Sequence, residues 1–514
     1  MTSRTIVFAL TSLAVAGAQP TPDALRQEAG ERVEARAKQV QVIVDSMFSF
    51  SELGYEESDS ADYLTQVLES EGFRIKRGAA GMPTAFVAEW GSGKPVIGLM
   101  ADIDGLPETS QKPGVAQHDP LIEGGPGHGE GHNAGQAVNV TAALVVRDML
   151  ENHSLKGTIR VYPGIAEELL GSRTYMARDG MFKDLDIMLS AHVSNAFSTN
   201  WGNRGLAMVS TQYTFHGVTA HGAGSPWRGR SALDAVELMN IGWNYRREHL
   251  RLQQRSHYVV TNGGNQPNVV PSEATVWYFF REVDYPHITE LHALGTKIAN
   301  AAAQMTDTTV TERVLGAAWN GHYNKPLAEV LQANIERVGM PVWDDNDQAL
   351  ARAVQKLMEA DEDGLRTETS ELQDGSTTAS GSDDIAEVSW NLPTVNLRYP
   401  ANIPGTVGHH WSSGIAMATP IAHKGATVGA KAQAMTAIEL FANPELVEKA
   451  WDYFREQTKE TTWESLIPLD SPPPIEVNRE KMERFRPQLE KLRYDPERYD
   501  TYLEQLGIKY PTIP

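Results

Sequence analysis

The 514-residue chain has no cysteine. That excludes disulfides, thiolate metal sites, iron–sulfur clusters and cysteine nucleophiles, so any metal must be held by His, Asp and Glu. Positive charge is scarce: 45 Lys and Arg stand against 66 Asp and Glu, a formal net charge of −21. An acidic surface repels phosphate backbones, which argues against nucleic acid as a partner. Long apolar runs are missing too, and with them the expectation of a membrane span. What remains, 41% hydrophobic and 22% charged residues, is the composition of a globular chain long enough for several domains.

The first residues stand apart. Arg4 precedes an apolar run from Ile6 to Val15, closed by Ala16-Gly17-Ala18. A basic start, a short apolar core and a small-x-small end have the pattern of a secretory signal peptide, residues 1–18, and place the mature protein in the periplasm or outside the cell.

Periodicity then divides the chain. Apolar spacing predicts helices over Gln27–Phe50, Ser60–Glu71, Asn139–Leu150 and Gly171–Arg178, alternating with strands over Lys94–Met100, Thr158–Tyr162 and Asp186–Ser190. That alternation predicts an α/β fold with a mostly parallel sheet, 19–204. Each strand delivers an acid or a histidine just past its C-terminal end, where open α/β sheets place active sites. From Gly205 the order becomes β-α-β-β-α-β: strands at Met208–Phe215, His257–Thr261, Thr275–Arg281 and Thr309–Leu315, with helices at Ala232–Leu250 and Ile288–Met305. This is a ferredoxin-like unit, 205–320, inserted into the first domain, which resumes over 321–444. The stretch Asp344–Asp384 reads as one helix followed by a solvated acidic loop. Thr419–Phe441 is a helix rich in small residues, and 445–514 is a tail with a charged helix, Asn478–Leu492.

Four short motifs carry chemistry. Gly127-His128-Gly129-Glu130-Gly131-His132-Asn133 alternates potential ligands with glycines before a helix. Such a backbone can turn sharply and aim a carboxylate and an imidazole at one point. Ala166-Glu167-Glu168 sets two carboxylates side by side at a strand end, an arrangement in which one can bind a metal while the other handles protons. Ala191-His192-Val193 and Gly408-His409-His410-Trp411 supply further imidazoles. Each motif alone has a structural explanation: a polar turn, a solvated helix start, a buried histidine. Together Glu130, His132, Glu168, His192 and His409 suffice for two divalent ions, and carboxylate with imidazole suits Zn²⁺, Mn²⁺ or Co²⁺.

These motifs resemble, in order, those of the dinuclear metallopeptidases that include aminoacylases, carboxypeptidase G and the auxin-conjugate hydrolases. The resemblance runs from about Val40 to Leu492. It also takes in Asp102-Ile-Asp-Gly-Leu-Pro107, Gly217-Val-Thr-Ala-His-Gly-Ala223, Ser231–Asn240, Pro267-Asn-Val-Val-Pro271, Gly405–His409 and Ala422-His-Lys-Gly425. It implies Glu167 as general base and acid, and Glu168, His132, His192 and His409 as metal ligands. The branch of the family that it resembles most usually has cysteine at the position of Glu130. Here a bridging thiolate would become a bridging carboxylate, a harder site that favours Zn²⁺ or Mn²⁺ over softer ions. The inserted unit resembles the family's lid, which also makes a homodimer. Its His221 resembles the histidine that reaches the scissile group, sometimes across the dimer, and Asn268 and Arg281 hold positions that contact the substrate's polar end. The expectation is a two-metal amidohydrolase acting on an N-acyl amino acid or dipeptide-like amide. The alternatives are a non-catalytic binding protein with a lapsed metal site, and a hydrolase of an ester or non-peptide amide.

Overall fold

The structure, a computed structural model, describes residues 21–375 and 381–514; the expected leader at 1–18 lies outside them. Thirteen strands are described: β1 (Arg74–Arg77), β2 (Phe86–Ser92), β3 (Val96–Asp102), β4 (Gly157–Gly164), β5 (Ile187–Ser194), β6 (Ser198–Arg204), β7 (Ala207–His216), β8 (Arg255–Asn262), β9 (Glu273–Glu282), β10 (Thr309–Ala318), β11 (Gly321–Tyr323), β12 (Gln373–Asp374) and β13 (Thr394–Pro400).

The large sheet runs β1-β2-β4-β3-β5-β13-β6-β11, with β12 beside β6. Its centre, β4-β3-β5-β13, is parallel, as the sequence suggested. Antiparallel strands flank it on both sides: β1 and β2 on one, β6 and β11 on the other. Every residue of β3 is buried, because helices cover both faces, and its sequence is therefore a continuous apolar run rather than an alternation. The long helices Gly135–Asn152 and Pro420–Ala442 pack together over this centre. The small residues of the second allow close approach: a Cβ on Gly425 would lie 2.1 Å from the carbonyl oxygen of Pro400 at the end of β13.

The second sheet is antiparallel, ordered β10-β7-β9-β8, and carries the helices Ala232–Arg246 and Tyr285–Met305. Its chain order is the expected β-α-β-β-α-β. In β9 burial alternates residue by residue. Ala274, Val276, Tyr278 and Phe280 pack in the core of this unit, while Trp277, Phe279 and Arg281 face the other way, into a cleft against the large sheet. A period of two thus makes one strand both core and binding wall.

Three sequence expectations change. The helix read over Gln27–Phe50 is two helices, Pro22–Glu34 and Ala37–Phe50, because the chain turns at Arg36, whose N–H bonds the Val33 carbonyl at 2.9 Å. The strands β1, β6, β11 and β12 carry too few apolar residues to be read by period, and β2, although apolar at Phe86, Val87, Ala88 and Trp90, also lies outside the strands expected from the sequence. The acidic loop is not solvated at its far end: Asp384 is fully buried against Arg173, itself fully buried. Among the described residues no helix is long and apolar enough to cross a membrane.

Candidate active site

A cleft of about 760 Å³ opens between the C-terminal ends of the parallel strands and the inner face of the second sheet. Glu130, Glu167, Glu168, His192 and His409 line it, with Arg281 opposite. His132 lies buried directly behind.

The glycine-rich loop is fixed from several sides. Gly127 exchanges two backbone hydrogen bonds with Leu106, and the Thr109 hydroxyl donates to the Gly127 carbonyl at 2.9 Å. Gly131 adopts φ +110°, which side-chain-bearing residues rarely reach, and a Cβ there would meet Met417 at 2.8 Å. Asn133 then pins the start of the helix by donating to the Val44 and Met417 carbonyls. The Glu167–Leu169 turn is held between two left-handed non-glycine residues, Ala166 at φ 47° and Leu170 at φ 51°, and His409 sits at φ 55°. Strain of this kind gathers where the surrounding structure over-determines a functional geometry.

The imidazoles are aimed. His132 Nδ1 bonds Asp104 at 3.1 Å, and His192 Nδ1 donates to the Val193 carbonyl at 2.8 Å. Each ring is thereby left with Nε2 toward the cluster, the orientation a metal-binding histidine takes when its other nitrogen is engaged. His132 Nε2 lies 3.9 Å from Glu167 and 4.0 Å from Asp102. Glu130 lies between two histidines, one oxygen 3.3 Å from His192 Nε2 and the other 3.1 Å from His409 Nε2. His409 is also 3.3 Å from Glu168. Glu130 makes no capping bond to the helix that follows, so its place is explained by the cluster and not by the helix.

Electrostatics marks the cluster strongly. Burial, with Asp383 and Asp102 nearby, holds Glu167 well above the usual carboxylate range. Burial and Glu130 push Glu168 up to about 8. Burial also opposes the charge on Glu130, but hydrogen bonds from His192 and His409 hold it well below the usual range. Buried His132 is raised well above the usual imidazole range by its bond to Asp104 and by Asp102 and Glu168.

The donor set fits divalent ions. Among the described residues His132 Nε2 and Glu168 Oε1 are buried with no hydrogen-bond partner, and ligand atoms lie within 4.8 Å of one another in each of four groups: Asp102/His132/His192, Glu130/Glu168/His409, His132/Glu167/Glu168 and Glu167/Asp383/Asp384. Carboxylate and imidazole donors at this spacing suit a divalent metal ion.

Residues 202–306 match the family model of the peptidase dimerisation domain. Over 469 residues the chain is 33% identical to one of the component chains of the p-aminobenzoyl-glutamate hydrolase of Escherichia coli (strain K12), covering 86% of this chain and 97% of that one. The chain belongs to the M20 peptidase family. A Xaa-Arg dipeptidase of Mus musculus is 30% identical over 325 residues, 62% of this chain and 72% of that one. Two solved structures share the M20 fold, each with a TM-score of 0.52. One is an aminobenzoyl-glutamate utilization protein from Klebsiella pneumoniae, 18% identical, covering 78% of this chain and 97% of that one. The other is a dinuclear metal-binding peptidase from Bacillus subtilis, 15% identical, covering 80% and 99%. This M20 protein is therefore a metal-dependent hydrolase of amide bonds, and its inserted unit is a dimerisation domain.

The structure gathers Glu130, His132, Glu167, Glu168, His192, His409 and Arg281 at one cleft. It does not bring His221 or Asn268 there. Both are exposed on the dimerisation domain beside each other, where Gly222 N–H bonds the Asn268 carbonyl and His221 pairs with Val269. Sequence reasoning passed over Asp102 and Asp104 as site residues, although strand-end acids were their visible signal. Asp104 orients His132 and accepts the Glu168 N–H at 3.1 Å. Arg173, Asp383 and Asp384 had no signal. Arg173 joins Asp102 to Asp384 across more than two hundred residues. Burial raises Asp384 to about 6 despite Arg173.

Proposed function

We propose that the enzyme cleaves N-acyl amino acids or dipeptide-like amides, aminobenzoyl-glutamate among the candidates, with Glu167 as general base and acid. One observation carries this reading: Glu167 is a buried carboxyl whose side chain makes no hydrogen bond among the described residues, between the ligand cluster and the open cleft. Glu130, His132, Glu168, His192 and His409 would hold two ions, with Asp102 beside them, and Zn²⁺ or Mn²⁺ suits these donors. When bound, such ions polarise a carbonyl and acidify water. Glu167 takes a proton from the attacking water as its oxygen bonds the carbonyl carbon. It returns that proton to the amine nitrogen as the C–N bond breaks. Arg281, on the opposite wall, holds the substrate's polar end. The scissile oxygen is met by the partner subunit's His221 in a homodimer joined through the dimerisation domain, with the partner's Asn268 beside it. The exposure of this pair outside its own cleft supports that arrangement.

Protein loaded with Mn²⁺ or Zn²⁺ and offered acyl-amino acids and aminobenzoyl-glutamate tests the reading. Release of free amine that stops on chelation and returns with metal is expected. Metal-loaded protein inert toward every amide would leave a binding protein in its place. The proposal extends to export, with removal of residues up to about Ala18, supported by the apolar run ending Ala16-Gly17-Ala18. N-terminal sequencing of protein from its native host that finds an intact Met1 would overturn that part.

A further inference from the structure

The cleft has a second charged wall. Arg398 of β13 pairs with Ser198 at the start of β6; Arg204 ends β6 six residues on and pairs with Gly321 of β11, two residues from Tyr323. Arg398 stands opposite His192 across the β13–β5 register, on strands ~4.8 Å apart. Both arginines line the cleft and both are half-buried. Tyr323, almost wholly buried, completes this corner.

Among the described residues neither guanidinium makes an ion pair or a side-chain hydrogen bond. The acid in the nearby wall, Asp383, is engaged elsewhere, 3.4 Å from Arg173 and accepting the Ile385 N–H. Arg204 is pulled below the usual guanidinium range by burial and by the charge of Arg398. Two like charges, partly desolvated and facing a cleft in a chain of net charge −21, are costly unless an anion joins them.

We propose that Arg204 and Arg398 form a subsite for a second carboxylate of the substrate, remote from the scissile amide, so that doubly anionic amides are preferred. The subsite rests on the amide-hydrolase reading for its use, but its ligand chemistry stands on the two arginines. The second carboxylate can belong to the amine portion, as in an acyl-glutamate, or to the acyl portion, as in a dicarboxylic monoacyl amide. Guanidinium forks suit either.

Matched substrate pairs separate these sources: benzoyl-glutamate against benzoyl-glutamine, and glutaryl-alanine against glutaramoyl-alanine, the second of each pair lacking only the second carboxylate. In one pair the doubly charged member is expected to have a kcat/KM roughly 10- to 100-fold higher, the scale of a charged hydrogen bond. That ratio should fall toward one in Arg204→Met and Arg398→Met, and only partly in Arg398→Lys, which keeps the charge and loses the fork. Wild-type enzyme indifferent to charge in both pairs, or a ratio that survives in the Met variants, would overturn the subsite. Titration calorimetry with glutarate gives a readout without turnover: binding to wild type, at least tenfold weaker in Arg398→Met. If no amide is hydrolysed, the function above fails while the glutarate titration still decides the subsite. If a Met variant melts early, the Lys variant decides it.

Discussion

Glu167 and Glu168 are neighbours in sequence with different surroundings. The Glu168 backbone N–H is held by Asp104 and its side chain lies beside His409, whereas the Glu167 side chain makes no hydrogen bond among the described residues and faces the cleft. Glu167→Gln should therefore keep the metals and lose turnover by about 10²- to 10⁴-fold, since the amide has the same shape but accepts no proton. Glu168→Gln should lower metal content first and activity as a consequence. Metal analysis beside kinetics checks the pair; loss of metal with Glu167→Gln and retention with Glu168→Gln would reverse the two roles. Glu130 permits a sharper test, because its two oxygens stand between His192 and His409, at the position where the resemblance led one to expect a thiol. Glu130→Ala should lower bound metal below two ions per chain, and activity of the wild type should resist thiol-modifying reagents. Two ions in both proteins would remove Glu130 from the ligand set. At this scale the sequence was most legible where a chemically explicit residue stood in a short motif, as Glu130, His132, His192 and His409 each did. Arg173 and Asp384 were not legible, because a buried ion pair joining distant segments leaves no mark on local periodicity.

Elements show the same division. The central strands were readable because full burial on two faces demands a continuous apolar run, as in β3. The edge strands β1 and β11 are short, β6 beside β11 is mostly polar, and only their hydrogen-bond partners make them strands. The short helix Ile385–Ser389 was missed for a related reason: its five residues carry no helical period, yet it anchors the region between the two sheets. Its Glu387 accepts the Trp319 N–H at 2.7 Å and the Trp463 indole N–H at 2.9 Å. Burial pushes this carboxyl up to about 8, against about 4.5 in an unfolded chain. Between those values the folded protein binds the extra proton, so this group's contribution falls as pH rises from about 4.5 to about 8 and is level outside that window. Glu387→Gln keeps a side chain able to accept one of the indole and backbone bonds and removes the titration. Thermal melts of metal-loaded protein between about pH 5 and about pH 8.5 should show wild type losing Tm more steeply than the variant. Parallel curves would mean Glu387 does not titrate in that window.

For the whole molecule, the inserted βαββαβ unit was readable from chain order alone, but its relation to the cleft was not. Its β9 presents Trp277, Phe279 and Arg281 to its own chain's cleft, while His221 and Asn268 lie exposed on another part of the same unit. In a two-fold homodimer, a group one subunit cannot use on itself can be used on the other, and both sites are then equivalent. Subunit mixing decides whether this happens. His221→Ala and Glu167→Gln are each expected to be nearly inactive as pure proteins. Unfolded together at equal amounts and refolded, half of the dimers are mixed. If His221 acts across the dimer, each mixed dimer holds one complete site: Glu167 of the His221→Ala chain with the partner's His221. Activity should return to about a quarter of wild type, half the dimers with one working site of two. If His221 acts within its own chain, every site in every dimer lacks one of the two residues and mixing restores nothing. Light scattering on the refolded sample confirms that dimers formed, so that silence from a dimeric mixture counts against the crossed arrangement and not against refolding.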